Sequence, residues 1–149
     1  MKKHLYLRAH TFYDSAVLTW QSNVDSIKTN RDTRLVVSYL LCMSIELVLK
    51  QLLDDLTGGH DKIHNVDTLC EAVYDLTISN EKLSLISASR LREIINSIEL
   101  NARLYSKISY GSRYDENIEI NENKLKELED SAEKLLLFYS SVEDSLNER

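Results

Sequence analysis

A chain of 149 residues with no proline and only three glycines has almost no means of interrupting a helix. Proline removes a backbone donor and clashes with the preceding turn, and glycine loosens the backbone; between them they supply most of the punctuation that strands and tight turns need. Their scarcity predicts an all-α fold. The composition, 43% hydrophobic and 28% charged, fits one domain with a real core and is too apolar for a disordered chain. A single domain over residues 1–149 is expected.

Apolar periodicity predicts five helices. Residues 11–27 place Phe12, Tyr13, Ala16, Val17, Trp20, Val24 and Ile27 at spacings of three and four, the stripe of an amphipathic helix. Residues 33–56 are apolar on nearly every side, so this helix is expected at the centre of a bundle, ended by Gly58-Gly59. A short helix over 67–76 turns Leu69, Cys70, Val73 and Leu76 inward. The next begins near Asn80 as N-cap and carries Leu83, Ile86, Leu91, Ile94, Ile95 and Ile98. Residues 101–121 show the weakest period. The last helix, 122–146, has Asn121 as its cap and Glu122 at the positive end of its dipole. The expected fold is a four-helix bundle with one additional short helix.

The formal net charge of -6 is unevenly spread: residues 115–149 hold 11 acidic and 4 basic side chains. That acidity belongs to the solvated face of the last helix. Against it, Lys82, Arg90, Arg92, Arg103, Lys107 and Arg113 outnumber Glu93 and Glu99 over residues 82–113. This stretch, interleaved with Tyr105 and Tyr110, is the one place for local contact with nucleic acid. Cys42 and Cys70 sit inside apolar helical patterns and cannot build a disulfide framework or a cysteine-rich zinc site. No signal-peptide stretch follows the basic start. The most apolar run, residues 35–49, contains Glu46 and is shorter than the roughly 20 residues of a membrane span. A cytoplasmic protein with no membrane contact is expected.

Glu46 interrupts the most apolar helix four residues before Lys50, so the two share a face and can pair. A buried carboxylate must pair or line a polar cleft, and both readings stand at this point. His60 and His64 have the spacing of a helical metal pair but straddle a loop, and Asp61 stands where a metalloprotease has glutamate. No metal site and no cofactor are expected. There is no phosphate-binding glycine loop, no nucleophile elbow and no carboxylate pair set for acid–base work.

Taken in order, three segments resemble the HEPN domain superfamily. Residues 38–53, with the core Ile45-Glu46-Leu47-Val48-Leu49-Lys50, resemble its second helix. Gly59-His60-Asp61 followed by Leu69 resembles the turn leading to the next helix, and Arg113-Tyr114 resembles the step that carries the family's functional arginine. The resemblance implies a dimeric helical bundle with paired polar motifs along the two-fold axis, and Glu46, Lys50, Arg113, Tyr114, His60 and Asp61 as binding residues. Many such domains are metal-independent ribonucleases of toxin–antitoxin, phage-defence or RNA-processing systems. Their arginine, followed four to six residues later by histidine, stabilises phosphate charge while the histidine moves a proton.

The chain departs from that pattern where it matters most. Positions 114–120 after Arg113 contain no histidine, and Asp115 and Glu116 add negative charge beside it. The expectation is therefore a HEPN-like homodimeric module without the usual ribonuclease site. It would bind RNA, a nucleotide or a protein partner of the nucleotidyltransferase or antitoxin kind. The alternatives are a divergent metal-independent endoribonuclease with Arg113 as its catalytic residue, and a helical adaptor with no nucleic-acid role.

Overall fold

The computed structural model describes residues 3–60, 65–109 and 118–147, and every regular element among them is a helix. In chain order these are α1 (His4–Ser22), α2 (Val24–Thr29), α3 (Arg31–Thr57), α4 (Val66–Ser79), α5 (Leu85–Glu99), α6 (Ala102–Ser109) and α7 (Glu122–Asn147). The all-α expectation holds, with more and differently bounded helices than periodicity gave.

The first expected helix divides. Leu5, Tyr6 and Ala9 extend the apolar stripe backward, so α1 starts at His4, and it stops at Ser22 instead of running on to residue 27. The break falls at Asn23, whose side-chain amide donates to the Thr19 carbonyl at 2.8 Å and competes with the helical ladder. After the short α2, Asn30 caps α3 by accepting from the backbone N–H groups of Asp32 and Thr33 at 2.8 and 3.3 Å.

As its pattern requires, α3 is enclosed. It packs most extensively on α1 and then on α7, with α4, α6 and α2 around the rest, while α5 packs chiefly on α4 and α7. By length and composition α3 could cross a membrane, but 78% of its most apolar stretch is buried within the fold. Two arginines tie its first turn to the chain before α7: Arg31 Nε donates to the Ile118 carbonyl at 3.0 Å, and Arg34 Nε to that of Ile120 at 2.7 Å. Its far end stops at Gly58, whose φ of 89° is the left-handed conformation that glycine adopts without a side-chain clash.

Asn80 does not start the next helix. It ends α4, and α5 begins later, with Ser84 accepting from the Ser87 N–H at 3.1 Å. Consequently Leu83, Ala88, Leu91, Ile95 and Ile98 form the inner set, and Ile86 points outward, 76% exposed. Within the weakly periodic stretch, α6 buries Tyr105 and Ile108, and its Ser106 hydroxyl accepts from the Val66 N–H at 2.9 Å, satisfying an orphan donor at the start of α4. The last helix matches its expected span, and Asn121 caps it by accepting from the Lys124 N–H at 2.8 Å.

Candidate functional site

Two polar rows run along the largely apolar middle and end of α3. The first is Cys42, Glu46, Lys50 and Asp54, each four residues from the next and hence on one face. Lys50 Nζ donates to Glu46 Oε2 at 2.8 Å, and both residues are buried, at 6% and 3% exposure. The pairing expected from spacing therefore forms inside the fold. Burial, reinforced by the Glu46 charge, pushes the Cys42 thiol far up, so it stays protonated and inert as a nucleophile. Cys70 is likewise buried, free and raised, first by burial and then by the neighbouring carboxylates Glu99, Asp67 and Glu71.

The row ends at Asp54, whose Oδ1 lies 2.5 Å from Nδ1 of His60. Each of these side chains is about a quarter exposed, so the imidazole is oriented by a carboxylate yet reachable from solvent. Of the other residues singled out in the sequence, Asp61, His64, Arg113 and Tyr114 lie outside the described residues. Among the described residues there is no group of three or more His, Cys, Asp or Glu side chains able to hold a metal ion.

A second row was missed in the sequence: Gln51 and Asp55, on a different face of α3. Gln51 accepts from the Tyr6 N–H at 3.0 Å and donates from Nε2 to Asp55 Oδ1 at 3.1 Å. The Tyr139 hydroxyl donates to Asp55 Oδ2, and the Tyr139 ring lies against the Tyr6 ring with centroids 4.6 Å apart. One carboxylate thus joins α1, α3 and α7. Its pKa is raised, chiefly by burial, while the bonds from Tyr139 and Gln51 pull it the other way. A signal existed: two polar residues at i and i+4 inside the most apolar helix, the spacing that flagged Glu46 and Lys50.

The end of α3 is also gripped from the α4–α5 connection. Lys82 Nζ donates to the Asp55 carbonyl at 2.8 Å, and the Asn80 amide to the Leu56 carbonyl at 2.9 Å. These carbonyls have no partner within the helix and carry the negative end of its dipole, so a cation and an amide donor suit them.

Half of the basic residues in the stretch expected to meet nucleic acid are used in the fold. Lys82 is committed to α3, Arg92 donates to the Thr77 carbonyl at 3.1 Å, and the Arg90 guanidinium stands 5.6 Å above the Phe138 ring. Arg103 lines a groove with Asp67, Glu71 and Glu99, where acidic groups outnumber it.

Fold and site define an all-helical protein whose polar chemistry is concentrated on its central helix. No protein family, curated protein or solved structure gives a significant match to the chain.

Proposed function

We propose that the chain is a HEPN-like helical module, a four-helix bundle with accessory short helices. It acts as a homodimer that binds RNA, a nucleotide or a partner protein in a defence or toxin–antitoxin setting, without the standard ribonuclease site. The observation that carries this reading is the Glu46–Lys50 pair, buried at 2.8 Å in the central helix, at the polar positions of the segment that resembles the HEPN second helix. The helical architecture and the turn at Gly58 are consistent with it. The lack of histidine after Arg113 argues for binding over cleavage. Arg113, Tyr114, His60 and Asp61 are the binding residues of this reading, while Glu46 and Lys50, expected from sequence to join them, are buried against each other and support the central helix.

One observation favours a second reading, a divergent metal-independent endoribonuclease. His60, oriented by Asp54 and partly exposed, has the attributes of a proton carrier. Arg113 would then stabilise the phosphate charge.

Incubation of the purified protein with total and transfer RNA, without added metal, separates the two. The binding reading expects intact RNA, and retention of RNA or nucleotide that weakens in Arg113→Ala. Cleavage that disappears in both Arg113→Ala and His60→Ala would establish the enzyme reading in its place.

A further inference from the structure

We infer that the groove between α1 and α7 beside Trp20 binds a free α-amino acid with an apolar side chain. The groove has a volume of about 360 Å³ and is lined by Val17, Trp20 and Gln21 of α1 and by Lys126 and Glu129 of α7. That volume is near the lower end of the roughly 300–1,000 Å³ that ligand sites occupy, so the ligand is small. The two helices run antiparallel here: Lys3 bonds to Glu143 at one end, and Tyr13 bonds to Glu129 further along. The groove opens beyond that second tie, toward the end of α1.

Each lining side chain has a part of such a ligand to meet. The Tyr13 hydroxyl donates to Glu129 Oε2 at 2.7 Å, which fixes the carboxylate and leaves Oε1 without a hydrogen bond among the described residues. Burial, and then the Glu129 carboxylate itself, pushes Tyr13 well above the usual tyrosine range, so it stays a donor. A carboxylate oriented in this way suits an ammonium group. Lys126 stands on the same side of α7, three residues and about 4.5 Å away along the axis. Its ion pair with Glu122 is long, 3.7 Å, and its side chain is 63% exposed, so its ammonium is available to a carboxylate. Gln21 adds an amide donor on the α1 wall. Val17 and Trp20, one turn apart and both partly buried, form the apolar wall, and Trp20 packs on the hydrophobic core.

Opposite charges one turn apart on one wall, with an indole and a valine on the other, select a zwitterion that has an apolar part. An α-amino acid carries its ammonium and carboxylate on one carbon, and its side chain leaves that carbon toward Val17 and Trp20. A polyanion suits the groove poorly, because Glu122 and Glu129 stand one turn to either side of Lys126. A ligand with a cation alone would meet the Lys126 charge unshielded. A few polar contacts in an open groove give a dissociation constant on the order of a millimolar. None of these residues belongs to the site of the proposed function, so the two readings stand or fall separately.

The test uses the full chain, whose single tryptophan is Trp20, so its fluorescence reports on the groove directly. L-Leucine is titrated across the millimolar range, and equilibrium dialysis with radiolabelled leucine measures binding independently of the fluorescence. Saturable binding is expected. It should weaken about tenfold or more for N-acetyl-leucine, which lacks the ammonium, and for leucinamide, which lacks the carboxylate. Glu129→Gln keeps an acceptor for Tyr13 and should weaken leucine about tenfold while leaving N-acetyl-leucine unchanged. Lys126→Met should weaken leucine to a similar degree and leave leucinamide unchanged. Unchanged circular dichroism spectra establish that both variants are folded. No saturable binding by either method, equal binding of leucine and N-acetyl-leucinamide, or a leucine affinity indifferent to both substitutions would each overturn the inference. RNA or nucleotide retention, measured on the same samples, reports on the proposed function separately.

Discussion

The middle of α3 and its C-terminal end carry the same spacing of polar residues and solve burial differently. Glu46 and Lys50 bring opposite full charges together within one helix. Gln51 and Asp55 set one carboxylate among neutral donors, and the second donor comes from α7. The first contact is local, made between two residues of α3 one turn apart. The second requires α1, α3 and α7 to be in register, because Tyr6, Gln51, Asp55 and Tyr139 must all meet. An i,i+4 pair in an apolar helix therefore marks either a charge neutralised in place or one end of a strut between helices. The residue types distinguish the two. Acid and base can satisfy one another, whereas an amide and an acid leave one carboxylate oxygen seeking a donor elsewhere.

The largest effect is expected where a full charge loses its partner. Lys50→Met leaves the Glu46 carboxylate buried beside the hydrophobic core and should destabilise the fold by about 3–5 kcal/mol. Replacing both, Glu46→Leu with Lys50→Met, takes both charges out of the interior and should recover part of that loss. Urea unfolding of the two single variants and the double variant makes the comparison. A double variant as unstable as Lys50→Met would show that the two charges do not act as a pair.

At the other end, Tyr139→Phe removes one donor from a buried carboxylate and should cost about 2 kcal/mol. Its signature is pH dependence. Burial holds the Asp55 pKa above its ordinary value, so the folded protein keeps that proton more tightly than the unfolded chain. The stability contribution of Asp55 is fully present below the unfolded-chain value of about 3.9 and is lost as pH rises through the raised folded value. Comparing wild type with Asp55→Asn by thermal unfolding across that interval should therefore show the asparagine variant gaining relative stability as pH rises. Because the Tyr139 bond pulls the pKa down, Tyr139→Phe should widen the interval. A wild-type difference from Asp55→Asn that is flat with pH would remove Asp55 from the titrating groups that matter.

The contrast between the two regions also explains what the sequence could disclose. The enclosure of α3, its stop at Gly58 and the cap of α7 at Asn121 were legible, because each depends on neighbours within a few residues. The Glu46–Lys50 pair was legible for the same reason. Tyr139 lies 84 residues from Asp55, and no local pattern couples them. Asn80 was misplaced because asparagine serves at either end of a helix. What sends it to the end of α4 is the Leu56 carbonyl, 24 residues earlier. Ile86 was counted with the apolar set of this helix, but at 100° per residue it lies about 140° from Leu91, which puts it on the outer arc of α5. At Asn23, a side chain bonded to its own helix ended a stripe that hydrophobicity alone would have carried onward.

The smallest effect belongs to the clamp that joins the polar end of α3 to the α4–α5 connection. Asn80→Ala removes the donor to the Leu56 carbonyl and the acceptor for the Lys82 N–H, bonds of 2.9 and 2.8 Å. Lys82→Met removes the cation from the Asp55 carbonyl while retaining most of the aliphatic stem. Each change should cost about 1 kcal/mol, the net worth of a typical intramolecular hydrogen bond. The two variants differ in how they touch the strut. The positive charge of Lys82 lowers the Asp55 pKa, so Lys82→Met should raise it further and shift the pH profile upward, whereas Asn80→Ala should lower the whole profile without moving it. Unfolding free energies at several pH values separate a charge that acts on Asp55 from an amide that only closes the helix end. Identical profiles for the two variants would mean that Lys82 acts only as a hydrogen-bond donor, and that the electrostatics of Asp55 are set by burial, Tyr139 and Gln51.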